Sequence, residues 1–177
     1  MMPLRLATVW LDGCSGCHMS LLDLDARLLE LASRVQIVYS PLIDTKHYPE
    51  QVDIVCVEGA VSSSADLRQL QLIRQRTALL IALGDCAVTG NVPGMRNTSA
   101  PGAVLASVYP GLEAKSSGMS PLELPQLLAK ALPLHHYVPV DYFLPGCPPS
   151  ADAIFASLMG LIEGQGHPSK NTSRFGV

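Results

Sequence analysis

The sequence predicts an α/β fold: a mainly parallel sheet with helices on both faces. Two observations predict it. Short apolar runs alternate with stretches of helical period, the pattern of strands joined by crossover helices. Two of those runs, Ile54–Val57 and Ala78–Leu83, lack any alternation with polar residues, as strands covered on both faces do. At 177 residues the chain suits one domain and can bury a sizeable core.

Leu4–Leu11 reads as the first strand, with Asp12-Gly13 as the turn that ends it. Met19–Ala32 reads as one helix whose apolar face is Leu21, Leu22, Leu24, Leu28, Leu29 and Leu31. Val35–Tyr39 is the second strand, Pro41–Glu50 a loop, and Asp53–Val57 the third strand. Ser63–Arg76 is an amphipathic helix whose Ser/Asp-rich start supplies caps. Ala78–Leu83 is the fourth strand. The Gly/Pro/Ser-rich stretch 84–120 is expected to be irregular, with a short helix near Val104–Val108. Leu122–Leu132 is expected as a helix with Pro125 in its first turn. Tyr137–Leu144 is the last strand, and Ser150 caps a final helix, Ala151–Glu163.

Composition narrows the function. Only 15% of residues are charged against 48% hydrophobic, where soluble domains carry about 25% charged residues. A surface this poor in charge suggests one normally covered by a partner. The net charge of −3 and the absence of a Lys/Arg block argue against a nucleic-acid or anionic-membrane surface. The longest clean apolar run, Ala78–Leu83, is far short of the ~20 residues of a membrane span. Met1–Leu6 carries no export-signal pattern, so the expectation is a cytoplasmic protein. In that reducing compartment, five cysteines point to metal or redox chemistry before a disulfide framework.

The cysteines fall in a telling place. Cys14 and Cys17 follow the first strand, Cys86 the fourth and Cys147 the last. Ligands of open α/β sheets bind beyond the carboxyl ends of the strands, so three strand-end loops should bring four thiols to one edge. Four thiolates suit zinc or an iron–sulfur cluster. Structural zinc usually takes two compact pairs, whereas here two ligands lie about 70 and about 130 residues beyond the single pair, a spread closer to a cluster held by a whole fold. Gly13, Gly16, Gly84 and Gly146 sit beside cysteines, where backbone N–H groups could approach sulfur. Helix starts after Cys17 and Cys147 would favour an anionic cluster.

Four segments, Trp10-Leu11-Asp12-Gly13-Cys14-Ser15-Gly16-Cys17-His18, Val57-Glu58-Gly59-Ala60-Val61, Leu83-Gly84-Asp85-Cys86-Ala87 and Pro145-Gly146-Cys147-Pro148-Pro149, together resemble the small subunit of [NiFe] hydrogenases, over residues 4–163. The resemblance implies a flavodoxin-like fold, expected as one domain over residues 1–163; the polar, glycine-containing stretch 164–177 is expected as a flexible tail. The resemblance also implies one [4Fe–4S] cluster on Cys14, Cys17, Cys86 and Cys147, facing the nickel–iron site of a separate large subunit. Glu58 matches an acidic position beside the cluster. Many members continue into a further domain with more clusters; here Cys56 is the only cysteine left over, so one cluster is expected. That resembles the short cytoplasmic branch whose partners are diaphorase subunits binding NAD and FMN. The His18-Met19-Ser20 continuation is similar to that branch, and the Cys14-x-x-Cys17 spacing differs from the adjacent cysteines of the related complex I subunit. No dinucleotide fingerprint occurs, so NAD should bind elsewhere in such a complex.

Other readings of the same residues stay open. Cys14-Ser15-Gly16-Cys17-His18 also fits c-type haem attachment. Cys14 and Cys17 could form a thioredoxin-like dithiol, which would make the distant cysteines dispensable. FMN could enter the crevice at the strand ends. Cys56, inside Ile54-Val55-Cys56-Val57, is expected to be a small buried hydrophobe. Glu58 is either a hydrogen-bond partner near the cluster or a solvated carboxylate, and His18 either shapes that surrounding or is polar surface. Asp85 is expected to cap the turn before Cys86, and Trp10 to be core or interface. Arg96 and Ser62–Ser64 are exposed loop residues by default, otherwise contacts for a partner or a flavin phosphate. His47, His135, His136 and His167 show no metal-like spacing.

Overall fold

The computed structural model describes residues 3–110 and 125–164. Five parallel strands form the main sheet: β1 (Leu4–Trp10), β2 (Val35–Tyr39), β3 (Val52–Glu58), β5 (Thr77–Leu83) and β7 (Tyr142–Leu144). Their spatial order is β2-β1-β3-β5-β7. Counted within this sheet alone, that is the 2-1-3-4-5 order of flavodoxin-like folds, whose switch point lies between β1 and β3. The expected architecture is therefore present. A second, two-stranded sheet pairs β4 (Val61–Ser63) antiparallel with β6 (Leu127–Leu132).

Strand alternation divides the core in two, because successive side chains point to opposite faces. Leu6, Ile54, Cys56, Ile81 and Leu83 pack on one face with Leu21 of α1 (Gly16–Leu22), Leu31 of α2 (Arg27–Arg34) and Ile154 and Leu158 of α7 (Ala151–Ile162). Ala7, Val9, Val55, Val57, Leu80 and Ala82 pack on the other face with Leu70 and Ile73 of α3 (Ser64–Arg76). Cys56 is the small buried hydrophobe expected, 2% exposed. Ser63 caps α3 in a reciprocal capping box with Asp66, and Ser150 caps α7 by accepting from the Ala153 N–H.

Four expectations about elements need correction. The helix expected over Met19–Ala32 is two helices, because the chain turns at 23–26 with Asp25 at φ 51; Leu24 stays buried while Leu22 and Leu29 face out. The helix expected over Leu122–Leu132 is strand β6 in its described part, since Leu127 and Leu132 find an antiparallel partner in β4 and tertiary pairing overrides helical propensity; residues 122–124 lie outside the described residues. The strand expected over Tyr137–Leu144 shrinks to Tyr142–Leu144, preceded by a 3-10 turn at Leu134–His136 and by Pro139, which has no N–H for a ladder. The stretch after β5 is more regular than expected: α4 (Asp85–Thr89), α5 (Asn91–Gly94), a 3-10 turn (Met95–Thr98) and α6 (Pro101–Val108). The tail from 165 onward lies outside the described residues.

Candidate metal centre at the carboxyl edge of the sheet

The loops after β1, β3, β5 and β7 meet at one edge and are tied to one another by backbone. Asp12 and Ala60 exchange N–H···O bonds of 3.1 and 2.7 Å, which seats the β1 loop on the β3 loop. That contact needs a glycine: a Cβ on Gly59, at φ 95, would lie 2.8 Å from the Leu11 carbonyl carbon. Across the sheet, the Gly84 N–H donates to the Leu144 carbonyl at 2.8 Å and the Asp85 N–H to the Gly146 carbonyl at 2.9 Å. The Asp85 Oδ1 in turn accepts from the Gly146 N–H at 2.8 Å. Asp85 is thus a buried strap between the β5 and β7 loops and not the cap of its own turn. The Ser20 hydroxyl donates to the Pro149 carbonyl at 2.5 Å, closing the ring of loops from the α1 side.

This frame brings the four predicted thiols together. Cys17 lies in the first turn of α1, inside the helix where a position before it was expected, and is 8% exposed. Its thiol is pushed well above the usual range, first by burial, then by the charge of Glu58, then by Cys86, Cys14 and Cys147. One sulfur therefore senses all three others. Burial also pushes the Cys86 thiol up, against the opposing effect of the Val92 backbone N–H on its sulfur. Cys14 and Cys147 are exposed, and all five cysteines are free thiols. Among the described residues no three His, Cys, Asp or Glu side chains close on a single ion.

Of the four glycines singled out, two approach sulfur. A Cβ on Gly84 would stand 2.2 Å from the Cys17 Sγ, so this glycine serves the cysteine across the site and not its sequence neighbour Cys86. A Cβ on Gly16 would stand 3.2 Å from the Cys14 Sγ. Gly146 instead packs on Pro149, and Gly13 on Gly59 and Glu58.

Glu58 and His18 form a buried pair beside Cys17, exposed by 2% and 4%. The Glu58 Oε2 accepts from the His18 backbone N–H at 2.9 Å and lies 2.5 Å from the His18 Nδ1. Neither the solvated carboxylate nor the surface histidine exists. The His18 ring is buried, its Nδ1 held by Glu58 and its Nε2 without a hydrogen-bond partner among the described residues. Trp10 is not core: it is 47% exposed, its Nε1 donating to the Gly13 carbonyl at 3.0 Å. Arg96 is neither an exposed loop residue nor free for a flavin phosphate, since its guanidinium donates to the Ser62 carbonyl at 2.8 Å and the Leu128 carbonyl at 3.1 Å.

Sequence reasoning missed the segment after α4. The Asn91 Nδ2 donates to the Cys147 Sγ at 3.4 Å. The signal was present in Gly90-Asn91, a pair suited to positive φ, five residues past a candidate ligand. The whole arrangement suits an iron–sulfur cluster: four thiols, a glycine cradle against the Cys17 sulfur, and an amide donor on the Cys147 sulfur.

Residues 14–161 match the family described as NADH ubiquinone oxidoreductase, 20 Kd subunit. The delta subunit of the NAD-reducing hydrogenase HoxS from Cupriavidus necator is 40% identical over 167 residues, covering 92% of this chain and 80% of that subunit. The chain belongs to the [NiFe]-hydrogenase small-subunit family. Within that family, a chain from the crystal structure of NAD+-reducing [NiFe]-hydrogenase in the H2-reduced state superposes with a TM-score of 0.87 at 38% identity, covering 98% of this chain and 99% of that one. The vhu F420-non-reducing hydrogenase of Methanocaldococcus jannaschii contains a longer relative, 36% identical over 166 residues, which cover 93% of this chain and only 58% of that relative. As a small-subunit family member the chain is part of an oxidoreductase and does not itself carry the hydrogen-activating site.

Proposed function

We propose that the chain is the electron-relay subunit of a cytoplasmic, NAD-reducing [NiFe] hydrogenase, holding one [4Fe–4S] cluster on Cys14, Cys17, Cys86 and Cys147. Electrons would pass from the nickel–iron site of a large subunit to a diaphorase that reduces NAD+. The observation that carries this reading is the convergence of four thiols from three strand-end loops, with Cys17 electrostatically coupled to the other three. The similarity to the HoxS delta subunit supports the NAD-linked partner set and, with it, the cytoplasmic location. Among the described residues no helix is long and apolar enough to cross a membrane.

When bound, the cluster supplies a carrier for one electron at a time. The chain's residues do the rest. Cys17, held under Gly84 and beside Glu58, forms the buried wall of the site, while exposed Cys14 and Cys147 form its mouth. The Asp85 strap and the Asp12–Ala60 pairing fix the loops so that the thiols need not reorganise as charge changes. Exposed Trp10 and Val92 flank those loops in sequence and supply apolar surface for a partner to cover.

The dithiol alternative needs only Cys14 and Cys17 and leaves Cys86 and Cys147 without a role. The Cys17 thiol is pushed up by burial and then by Glu58 and the three other thiols, so all four cysteines act on one another at this edge. Iron and acid-labile sulfide on protein purified anaerobically with its partners test the reading. About four of each per chain, with a larger nickel-containing subunit, are expected. Zinc near one per chain, or no metal with a titratable Cys14–Cys17 pair, would overturn it. Cys147→Ala should abolish or convert the cluster; full iron content and full activity in that variant would also overturn the assignment.

A further inference from the structure

The turn Gly90-Asn91, in the segment after β5, reaches a sulfur of the β7 loop. Gly90 has φ 89 and Asn91 φ 26, successive residues in the positive-φ range that few side chains adopt. The turn is anchored to α4, because the Gly90 N–H donates to the Cys86 carbonyl at 3.1 Å, while the Asn91 N–H reaches the Thr89 hydroxyl at 3.4 Å. That hydroxyl donates to the Asp85 carbonyl at 2.8 Å. The consequence is a side-chain donor aimed at a sulfur of another loop: the Asn91 Nδ2 donates to the Cys147 Sγ at 3.4 Å.

From this geometry we infer that Asn91 sets the reduction potential of the cluster site by donating to the Cys147 sulfur. The inference rests on the cluster reading above and adds a residue to it. Reduction adds negative charge, part of which resides on the thiolate sulfurs. An N–H donor stabilises the reduced state more than the oxidised one and so raises the potential. The side chain required at 91 must tolerate positive φ and donate. Glycine meets the first condition alone. Aspartate fits the same backbone, yet it presents only acceptors at neutral pH. Asparagine meets both.

The test is an anaerobic redox titration of the intact complex, read by the electron paramagnetic resonance of the reduced cluster, with iron and sulfide measured per chain. Asn91→Gly keeps the backbone conformation and removes the donor. It is expected to retain iron and to shift the oxidised-to-reduced ratio at fixed potential up to about tenfold toward oxidised, a fall of up to about 59 mV. Asn91→Asp, which replaces donor by charge, is expected to retain iron and fall further. An unchanged midpoint in both iron-replete variants overturns the inference. Iron loss in both overturns it too, making Asn91 a folding determinant. Absence of iron from the unmodified complex would instead fail the cluster reading itself.

Discussion

The two sides of the thiol site are built on opposite principles. On the β1–β3 side, Cys17 is buried, a carboxylate stands next to it, and that carboxylate takes its hydrogen bonds from His18 and none from sulfur. On the β5–β7 side, Cys147 is exposed and Cys86 partly so, and the Cys147 sulfur receives the Asn91 amide. The first wall only raises the cost of negative charge; on the second, the Asn91 donor on Cys147 works against the burial that raises it at Cys86. A site that must accept and release an electron gains from such a balance, because its potential is then set by several opposed contributions and not by burial alone.

The comparison can be broken most severely at Gly84. Gly84→Ala puts a methyl group 2.2 Å from the Cys17 sulfur at φ 81, so we expect loss of most iron and a stability loss of several kcal/mol, roughly 1–3 of it from backbone strain alone. Iron content and thermal unfolding measure it; near-normal values for both would show that the buried wall is not rigid. Glu58→Gln tests the charge of that wall. Removing the negative charge beside Cys17 should raise the cluster potential, by up to about 59 mV if the effect is tenfold, the opposite sign to Asn91→Gly. A redox titration in which both variants move the same way would erase the contrast.

Arg96→Ala probes the scaffold behind the open side. Loss of the bonds to the Ser62 and Leu128 carbonyls should cost about 1–3 kcal/mol by chemical denaturation, with flavin content unchanged. A variant that lost bound FMN at full stability would restore the phosphate-contact reading. The smallest effect is expected at Cys56, whose thiol is pushed up from the usual 9.0 to about 12 by burial alone. With the folded value raised, this group's contribution is intact below pH 9 and is lost as pH rises through about 12, because the unfolded chain ionises first. Cys56→Ala should therefore flatten the alkaline loss of stability while leaving iron content intact. Equal alkaline slopes in the two proteins would count against it.

Much of this was legible in the chain before any coordinates. The parallel strands announce themselves because the stretches Ile54–Val57 of β3 and Leu80–Leu83 of β5 are buried on both faces and are apolar without a break. The cysteines follow, since residues at strand ends in such sheets share one edge whatever their distance in sequence. Elements whose identity depends on a partner were not legible. Leu127–Leu132 has the composition of a helix and becomes a strand only because Val61–Ser63 offers an edge.

By itself, then, the sequence determined which residues could carry the chemistry: four thiols, their order, and the strands that deliver them. Tertiary structure alone decided their surroundings. That Gly84 belongs to Cys17, that Asp85 straps the β7 loop, that Glu58 is buried against His18 and that Asn91 reaches Cys147 are all contacts between segments distant in sequence. Local pattern records which face of an element is apolar. It does not record which distant loop that face will meet, because such contacts are fixed by the packing of the whole sheet and its helices.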